Sequence, residues 1–370
     1  MANKRVCAYI KLENIKRNVD SVKRQLKPST RILAVVKADA YGHGAVPIAK
    51  YLETAVWGFA VATVSEGVEL RTAGIKKPIL VLGYAFSDEL ADVVKNDLSI
   101  TVFSYRTAFE ISKYASNMRK TVKLHIKLDT GMGRLGFECN DRSVDDIEKI
   151  SRLPGLSIEG IFTHFSRSDE ADKTFTNQQF EKFMSMVEKL EGKGVNPGLK
   201  HCANSAAIMD MPQLQLDMVR LGVAMYGMWP SDAVSRDRIT LYPAMSIESH
   251  VTHVKTVPAG TPISYGGTFV TERESVIATV PVGYGDGYAR SLSGIGKVLI
   301  NGEFLPIVGK VCMDQFMVDV TGFNVSVGDR VVLLGKDGDF SITMEDLGRM
   351  SGRFNYEFAC DINQRVPRVY

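Results

Sequence analysis

Between residue 31 and about residue 226 the sequence alternates short apolar runs with amphipathic stretches, and this alternation limits the possible folds more than any other feature. The runs are 31–36, 57–62, 79–83, 99–103, 122–128, 158–163, 199–202 and 217–220. Short apolar runs bounded by polar residues read as buried strands. The stretches between them, such as 87–95, 104–116 and 174–193, read as helices or crossovers. Eight strand-then-helix units predict a (β/α)8 TIM-type barrel, although an open doubly wound sheet has the same periodicity. Polar residues favour the barrel. Lys37, Tyr84, Asp129 with Arg134, His164, Asn204 with Ser205, and Arg220 stand at or just beyond the ends of these runs. In a barrel all of them converge on the C-terminal face.

Beyond about residue 240 the texture changes. The stretches 245–257, 274–282, 297–300, 304–308, 311–320, 330–334 and 364–369 are strand-like and separated by Gly, Pro or Asp turns. One helix interrupts them, Thr343 to Met350, with Thr343 as its N-cap. The expected division is an α/β barrel over 1–240 and a C-terminal, mostly-β domain over 241–370; 370 residues, 45% of them hydrophobic, suffice for two cores. The 45 basic and 42 acidic side chains leave a net charge of +3 with no basic run, so nucleic acid is not an expected partner. Charges interrupt the first twenty residues every few positions, and no membrane span is expected there or later; the expected location is the cytoplasm. Cys7, Cys139, Cys202, Cys312 and Cys360 are scattered without a C-x-x-C pair. That argues against a disulfide framework or a zinc site and for small, mostly core residues.

The first run ends in Val35-Val36-Lys37-Ala38-Asp39-Ala40-Tyr41-Gly42-His43-Gly44. A lysine at a strand top is either a snorkelling side chain or, if desolvated, a source of Schiff-base chemistry. The glycines that follow allow close backbone approach to an anion, and the Tyr41 hydroxyl can reach a phosphate. In the fifth run, Val122-Lys123-Leu124-His125-Ile126-Lys127-Leu128, apolar and basic residues alternate, so one face meets the helices and the other points into the barrel. Lys127 then lies inside near the top, beside Arg134, unless it faces outward in a salt bridge.

The segment AVVKADAYGHG resembles the cofactor-lysine segment of bacterial alanine racemases. KLDTGMGRLGF (127–137), THF (163–165), NSA (204–206), SYGGT (264–268), PVGYGDGY (281–288), GKVCMDQFMVD (309–319) and QRVPRVY (364–370) resemble further motifs of that family in the same order. Together they span nearly the whole chain. The resemblance implies a cytoplasmic pyridoxal 5'-phosphate enzyme that interconverts L- and D-alanine for peptidoglycan. It implies a homodimer with shared active sites, and a C-terminal domain that takes in part of the N-terminal segment.

Residue by residue, the resemblance implies that Lys37 carries the cofactor. Tyr41, Asn204, Ser205, Gly222, Val223 and Tyr356 hold its phosphate. Asn204 and Ser205 also read as an ordinary helix cap, and the two readings are compatible. Arg220 meets the pyridine nitrogen, and an arginine there keeps that nitrogen unprotonated and the ring a limited electron sink. Leu221 stands where the family often has proline. His164 hydrogen-bonds Arg220 and the second base, although a strand-end histidine is otherwise commonly a satisfied structural group.

Inversion at a carbon needs a base on one face and an acid on the other. Lys37 is one of the pair, and the resemblance names Tyr265 of the other subunit as the second. A tyrosine, with an ordinary pKa near ~10, needs nearby positive charge to act as a base at neutral pH. The resemblance also places Arg134 and the Met313 backbone N–H on the substrate carboxylate. Tyr284, Cys312 and Asp314 stand around them, and Lys127 is a candidate for carbamylation. A decarboxylase of the same architecture would offer the ring nitrogen a carboxylate. A non-catalytic cofactor carrier would lack Tyr265 and the β domain, and a cofactor-free aldolase would have no use for a phosphate clamp.

Overall fold

A computed structural model describes residues 5–370. The chain divides into two units, one made of Lys16–Ala40 and Ala45–Tyr242, the other of the residues up to Ile15, Tyr41–Gly44 and Pro243–Tyr370. The sequence division placed the boundary at 240, with part of the N-terminal segment given to the C-terminal domain by the resemblance. In the structure the residues from Arg5 to Ile15 and the Tyr41–Gly44 segment group with the C-terminal stretch, held there by bonds such as Arg5 to Asp286, Ala8 to Pro367 and Arg368 to Gly42.

In the barrel unit the eight strands are Arg31–Val35, Gly58–Val61, Ile79–Val81, Ser99–Val102, Val122–Asp129, Leu156–Phe162, Leu199–His201 and Met218–Leu221. Each pairs in parallel with the next from the first to the seventh, and the eighth pairs with the first. The ring is completed by two backbone bonds across the last gap: Asp217 N–H donates to the Lys200 carbonyl (3.1 Å) and Arg220 N–H to that of Ala203 (3.0 Å). All eight runs are therefore strands of one barrel-like sheet. The second, third and fourth strands are buried along their whole length, which is why they carry no charged residue. In the fifth strand His125 and Lys127 are buried, while Lys123 is half exposed and paired with Glu159 (3.3 Å).

Immediately after Lys37 the backbone turns left-handed. Ala38, Asp39, Ala40 and Tyr41 have φ of 51°, 49°, 54° and 53°. For non-glycine residues this conformation costs roughly 1–2 kcal/mol each, so other contacts have to hold the turn. The Glu66 carboxylate does this at its start, accepting from Ala38 N–H (2.6 Å), Ala62 N–H (2.7 Å) and Thr63 N–H (3.3 Å). The Asp39 side chain accepts from Ala45 N–H (2.7 Å) and so caps the helix Ala45–Leu52. Gly42 and Gly44 serve close approach within the C-terminal unit. A Cβ at Gly42 would lie 2.2 Å from the Ala359 carbonyl oxygen, and one at Gly44 would lie 1.7 Å from the Tyr370 hydroxyl. Those spaces are filled by protein, which corrects the expectation that both glycines make room for an anion.

The C-terminal unit is mostly β. Its large sheet runs His253–Val257, Ser275–Val280, Phe316–Asp319, Glu303–Val308, Lys297–Ile300, Arg330–Asp337, Met245–His250, Val6–Ile10 and Arg368–Val369, with Phe340–Ile342 attached to Arg330–Asp337. Val6–Ile10 is antiparallel to Met245–His250 and parallel to Arg368–Val369. The helix Met344–Ser351 has the expected Thr343 cap, completed by Asp346 as a capping box. A second helix, Asn355–Asp361, has no side-chain cap and is additional to the one helix expected in this region. Of the five cysteines only Cys7 and Cys202 are buried; Cys360 is exposed. No helix among the described residues is long and apolar enough to cross a membrane.

If Glu66 holds the left-handed turn, Glu66→Ala leaves three N–H groups without their acceptor. Chemical denaturation should show a loss of about 2 kcal/mol, in the range for hydrogen bonds to charged groups. Wild-type stability in the variant would show that the turn is held by something else.

Candidate active site

The carboxyl ends of the barrel strands bring together Lys37, Lys127, Arg134, His164 and Arg220. Arg220, the third residue of the eighth strand, is buried. Its Nη1 donates to the His201 carbonyl (3.1 Å) and lies 3.0 Å from His201 Nδ1. Its Nη2 donates to the carbonyls of Thr163 (2.8 Å) and Cys202 (3.0 Å) and lies 3.2 Å from His164 Nδ1. All five contacts use Nη1 and Nη2, and none involves a carboxylate. Burial lowers the Arg220 pKa to about 10, so the guanidinium keeps its charge at neutral pH.

That charge governs its neighbours. Burial, reinforced by Arg220, Lys127, Arg134 and Lys37, holds His164 well below its ordinary value and therefore neutral. His201 is likewise neutral, through burial, then His125 and Arg220. Lys127 is 3% exposed, its Nζ has no hydrogen-bond partner, and it sits 4.8 Å from the Phe162 ring centroid. Burial first, then Arg220 and Arg134, push its pKa down to about 6. A lysine in this condition is a neutral amine at pH 7.

Arg134 is presented by a loop folded around Asp129. The Asp129 carboxylate accepts from the N–H groups of Gly131 (3.0 Å), Met132 (2.9 Å) and Gly133 (3.1 Å). Burial works against its charge, but these bonds hold its pKa below the usual value. At the seventh and eighth strand ends, Asn204 caps the helix Ser205–Asp210, accepting from Ala207 N–H (3.1 Å) and from the Ser168 hydroxyl (2.9 Å). Ser205 Oγ accepts from Gly222 N–H (3.1 Å) and Ala224 N–H (3.4 Å), joining the two loops. Val223 opens a short 3-10 turn, and Tyr226 in that turn donates to the Val35 carbonyl (2.8 Å) just before Lys37.

In the C-terminal unit, Tyr41 lies beside Cys360 and Tyr356, and its pKa is raised by burial, then by those two groups. Three loops meet around Cys312. Ser264, with φ of 66°, donates from its hydroxyl to the Lys310 carbonyl (2.7 Å), and its Oγ lies 3.5 Å from Cys312 Sγ. Tyr284 N–H donates to the Cys312 carbonyl (3.1 Å) and Gly285 N–H to that of Met313 (2.8 Å). Asp314 pairs with Arg365 (2.6 Å). On these loops Tyr265 is 70% exposed, Met313 52% and Tyr284 42%, which leaves three large side chains uncovered by their own unit.

The sequence reading did not single out His125, Glu159, His201 or Glu66. His125 carried a signal as the middle basic residue of the fifth run. Glu159 carried a weaker one, as a charge inside the sixth strand. Nothing in the sequence pairs them.

The site lies on a closed parallel barrel joined to a mostly-β unit, with a lysine at the first strand end and a buried arginine at the eighth. The comparisons name the family. The alanine racemase N-terminal domain matches residues 10–230 and its C-terminal domain residues 244–370. The alanine racemase of Methanococcus maripaludis is 48% identical over 372 residues, covering 100% of both chains. The structure of alanine racemase from Clostridium difficile 630 superposes with a TM-score of 0.96 at 43% identity, covering 100% of this chain and 96% of that one. That of Bacillus anthracis, with bound L-Ala-P, gives 0.94 at 38% identity, covering 100% and 95%. The chain belongs to the alanine racemase family and is a pyridoxal-phosphate-dependent isomerase acting on alanine.

The Lys127 environment has a measurable consequence. Its pKa is lower folded than unfolded, so between about pH 6 and pH 10 the unfolded chain binds a proton that the folded chain lacks. Across that window this group makes stability rise with pH, by up to about 1.4 kcal/mol per unit. In carbonate-free buffer Lys127→Met should flatten the pH dependence of the denaturation midpoint. Equal slopes in the two proteins would place Lys127 in a solvated site.

Proposed function

We propose that Lys37 binds pyridoxal 5'-phosphate and that the α-proton of alanine is moved between Lys37 on one face and Tyr265 of the partner subunit on the other. The observation that carries this reading is the Arg220 guanidinium, whose five contacts leave Nε for the ring nitrogen. The residues fit the cofactor. Ser205 and Ala206, in the first helical turn, have no intrahelical acceptor for their N–H groups. With that of Val223 they suit a phosphate; Gly222, whose N–H is held by Ser205 Oγ (3.1 Å), lines the same loop, and Asn204, Tyr41 and Tyr356 add polar groups. When bound, the cofactor supplies an electron-withdrawing ring that stabilises the charge left on the α-carbon.

Arg220 would donate to the ring nitrogen without protonating it, because an arginine does not give up its own proton. That keeps the charge on the α-carbon short-lived and favours return of a proton there. Arg134 and the Met313 N–H of the partner subunit hold the substrate carboxylate, with Tyr284, Cys312 and Asp314 around the entrance. Neutral His164 accepts from Arg220 on one side and orients the second base on the other. Lys127, as a neutral amine beside two arginines, adds carbon dioxide to form a carbamate, releasing a proton and giving both arginines an anion. The enzyme works in the cytoplasm as a homodimer that supplies D-alanine for peptidoglycan. The exposure of Tyr265, Met313 and Tyr284 supports shared sites.

Borohydride reduction followed by peptide mapping should place a pyridoxyl group on Lys37; a label elsewhere contradicts the assignment. Tyr265→Phe should slow racemisation from L-alanine by ~10²–10⁴-fold, the usual worth of general-base assistance, while the cofactor remains bound. Mixing inactive Lys37→Ala and Tyr265→Ala proteins under subunit exchange should restore part of the activity. No recovery despite exchange would show that each site is built from one chain.

A further inference from the structure

A single file of hydrogen bonds runs from Arg220 down through the barrel interior. His201 Nδ1 faces Arg220 Nη1 (3.0 Å), His201 Nε2 faces His125 Nδ1 (2.9 Å), and His125 Nε2 faces Glu159 Oε2 (3.2 Å). Both imidazoles are fully buried. Glu159 Oε2 also accepts from the Ser99 hydroxyl (2.8 Å), and its Oε1 pairs with the half-exposed Lys123 (3.3 Å). The Phe162 ring stacks on His201, centroids 4.8 Å apart at 7°, and fixes its plane.

The two ends of this file leave one arrangement of protons. A guanidinium only donates, so His201 Nδ1 must be the acceptor and His201 Nε2 must carry its proton. An ionised carboxylate only accepts, so His125 Nε2 carries a proton; the neutral ring then offers the Nδ1 lone pair to His201. Burial alone would raise the Glu159 pKa, but the hydrogen bonds from His125 and Ser99 hold it at about 2. Burial keeps both imidazoles neutral. Reversing the file would point His201 Nδ1–H at Arg220 Nη1–H, donor against donor.

We propose that Glu159 is a positioning residue for Arg220: its oxygen accepts the proton that the Arg220 end forces onto His125 Nε2, and so holds His125 and His201 in line behind the lone pair on which Arg220 rests. The anion also balances the buried guanidinium through two neutral rings, which transmit hydrogen-bond direction without carrying charge. The kinetic consequence rests on the assignment of Arg220 to the cofactor ring nitrogen. The tautomer assignment rests on the hydrogen bonds alone.

Solid-state 15N NMR of histidine-labelled holoenzyme tests both. In the wild type, His125 and His201, assigned through His125→Asn and His201→Asn, should each be protonated only at Nε2. In Glu159→Ala both rings should keep the tautomer that Arg220 demands, but the His125 Nε2–H signal should move from that of a proton bonded to a carboxylate to that of one without this acceptor. The kcat for L-alanine should fall on the order of tenfold with KM nearly unchanged, the loss of about one net hydrogen bond. Glu159→Gln, which keeps an oxygen facing Ser99 and His125, should restore the wild-type spectrum and rate. Protonation of wild-type His201 at Nδ1 would overturn the proposal, and so would an unchanged His125 Nε2–H signal in Glu159→Ala. Should Glu159→Ala not fold, the wild-type and Glu159→Gln spectra decide. An altered His125 Nε2–H signal with an unchanged kcat would leave Glu159 in place and contradict the role given to Arg220.

Discussion

A buried guanidinium with no carboxylate against it has to be stabilised by dipoles, and around Arg220 three backbone carbonyls and two imidazoles do this. Transfer of such a charge out of water is costly unless every donor finds a partner. The carbonyls come from the ends of the sixth and seventh strands, so the cation can exist only if those strands end beside the eighth. The bond from Arg220 N–H to Ala203 does the same on the backbone side. Barrel closure and site geometry thus share one set of atoms, and a shift in any of the three strands would leave the charge partly unsatisfied.

Burial, reinforced by the same charge, sets the protonation of the surrounding groups. His164 and His201 are neutral and Lys127 is close to neutral because the interior is dry and a permanent cation lies beside them. None of these states could be assigned to its residue in isolation. On the reading proposed above, an arginine surrounded by neutral groups would supply no proton to the ring nitrogen of the cofactor. A member of a decarboxylase family would need the opposite, a carboxyl group in the same place.

Much of the fold was legible in the sequence because strands leave a periodic record. All eight apolar runs are barrel strands, and the alternation through Val122–Asp129 put Lys127 on the interior face, where it is buried. The Thr343 cap was legible because capping is local. Three features were not. The left-handed turn after Lys37 involves Ala38, Asp39 and Ala40, which favour ordinary helix or turn geometry, and it depends on Glu66, which the local sequence does not link to it. The helix Asn355–Asp361 lacks a cap signal. The file from Glu159 through His125 and His201 joins one residue from each of three strands, and isolated long-range pairs have no periodicity to betray them. The Tyr41-Gly42-His43-Gly44 segment was read as an anion cradle because glycine is permissive for many reasons; here the missing Cβ atoms make room for Ala359 and Tyr370.

The central claim is that two groups on opposite faces exchange the α-proton of alanine with solvent. Incubating the enzyme with L-alanine in deuterated water, and following chirality and mass from the earliest turnovers, tests it most directly. Two bases predict D-alanine that carries one deuterium at the α-carbon from the start, because the proton taken on one face is not the one delivered on the other. D-alanine that retains the original proton would show that one group serves both faces and would contradict the account.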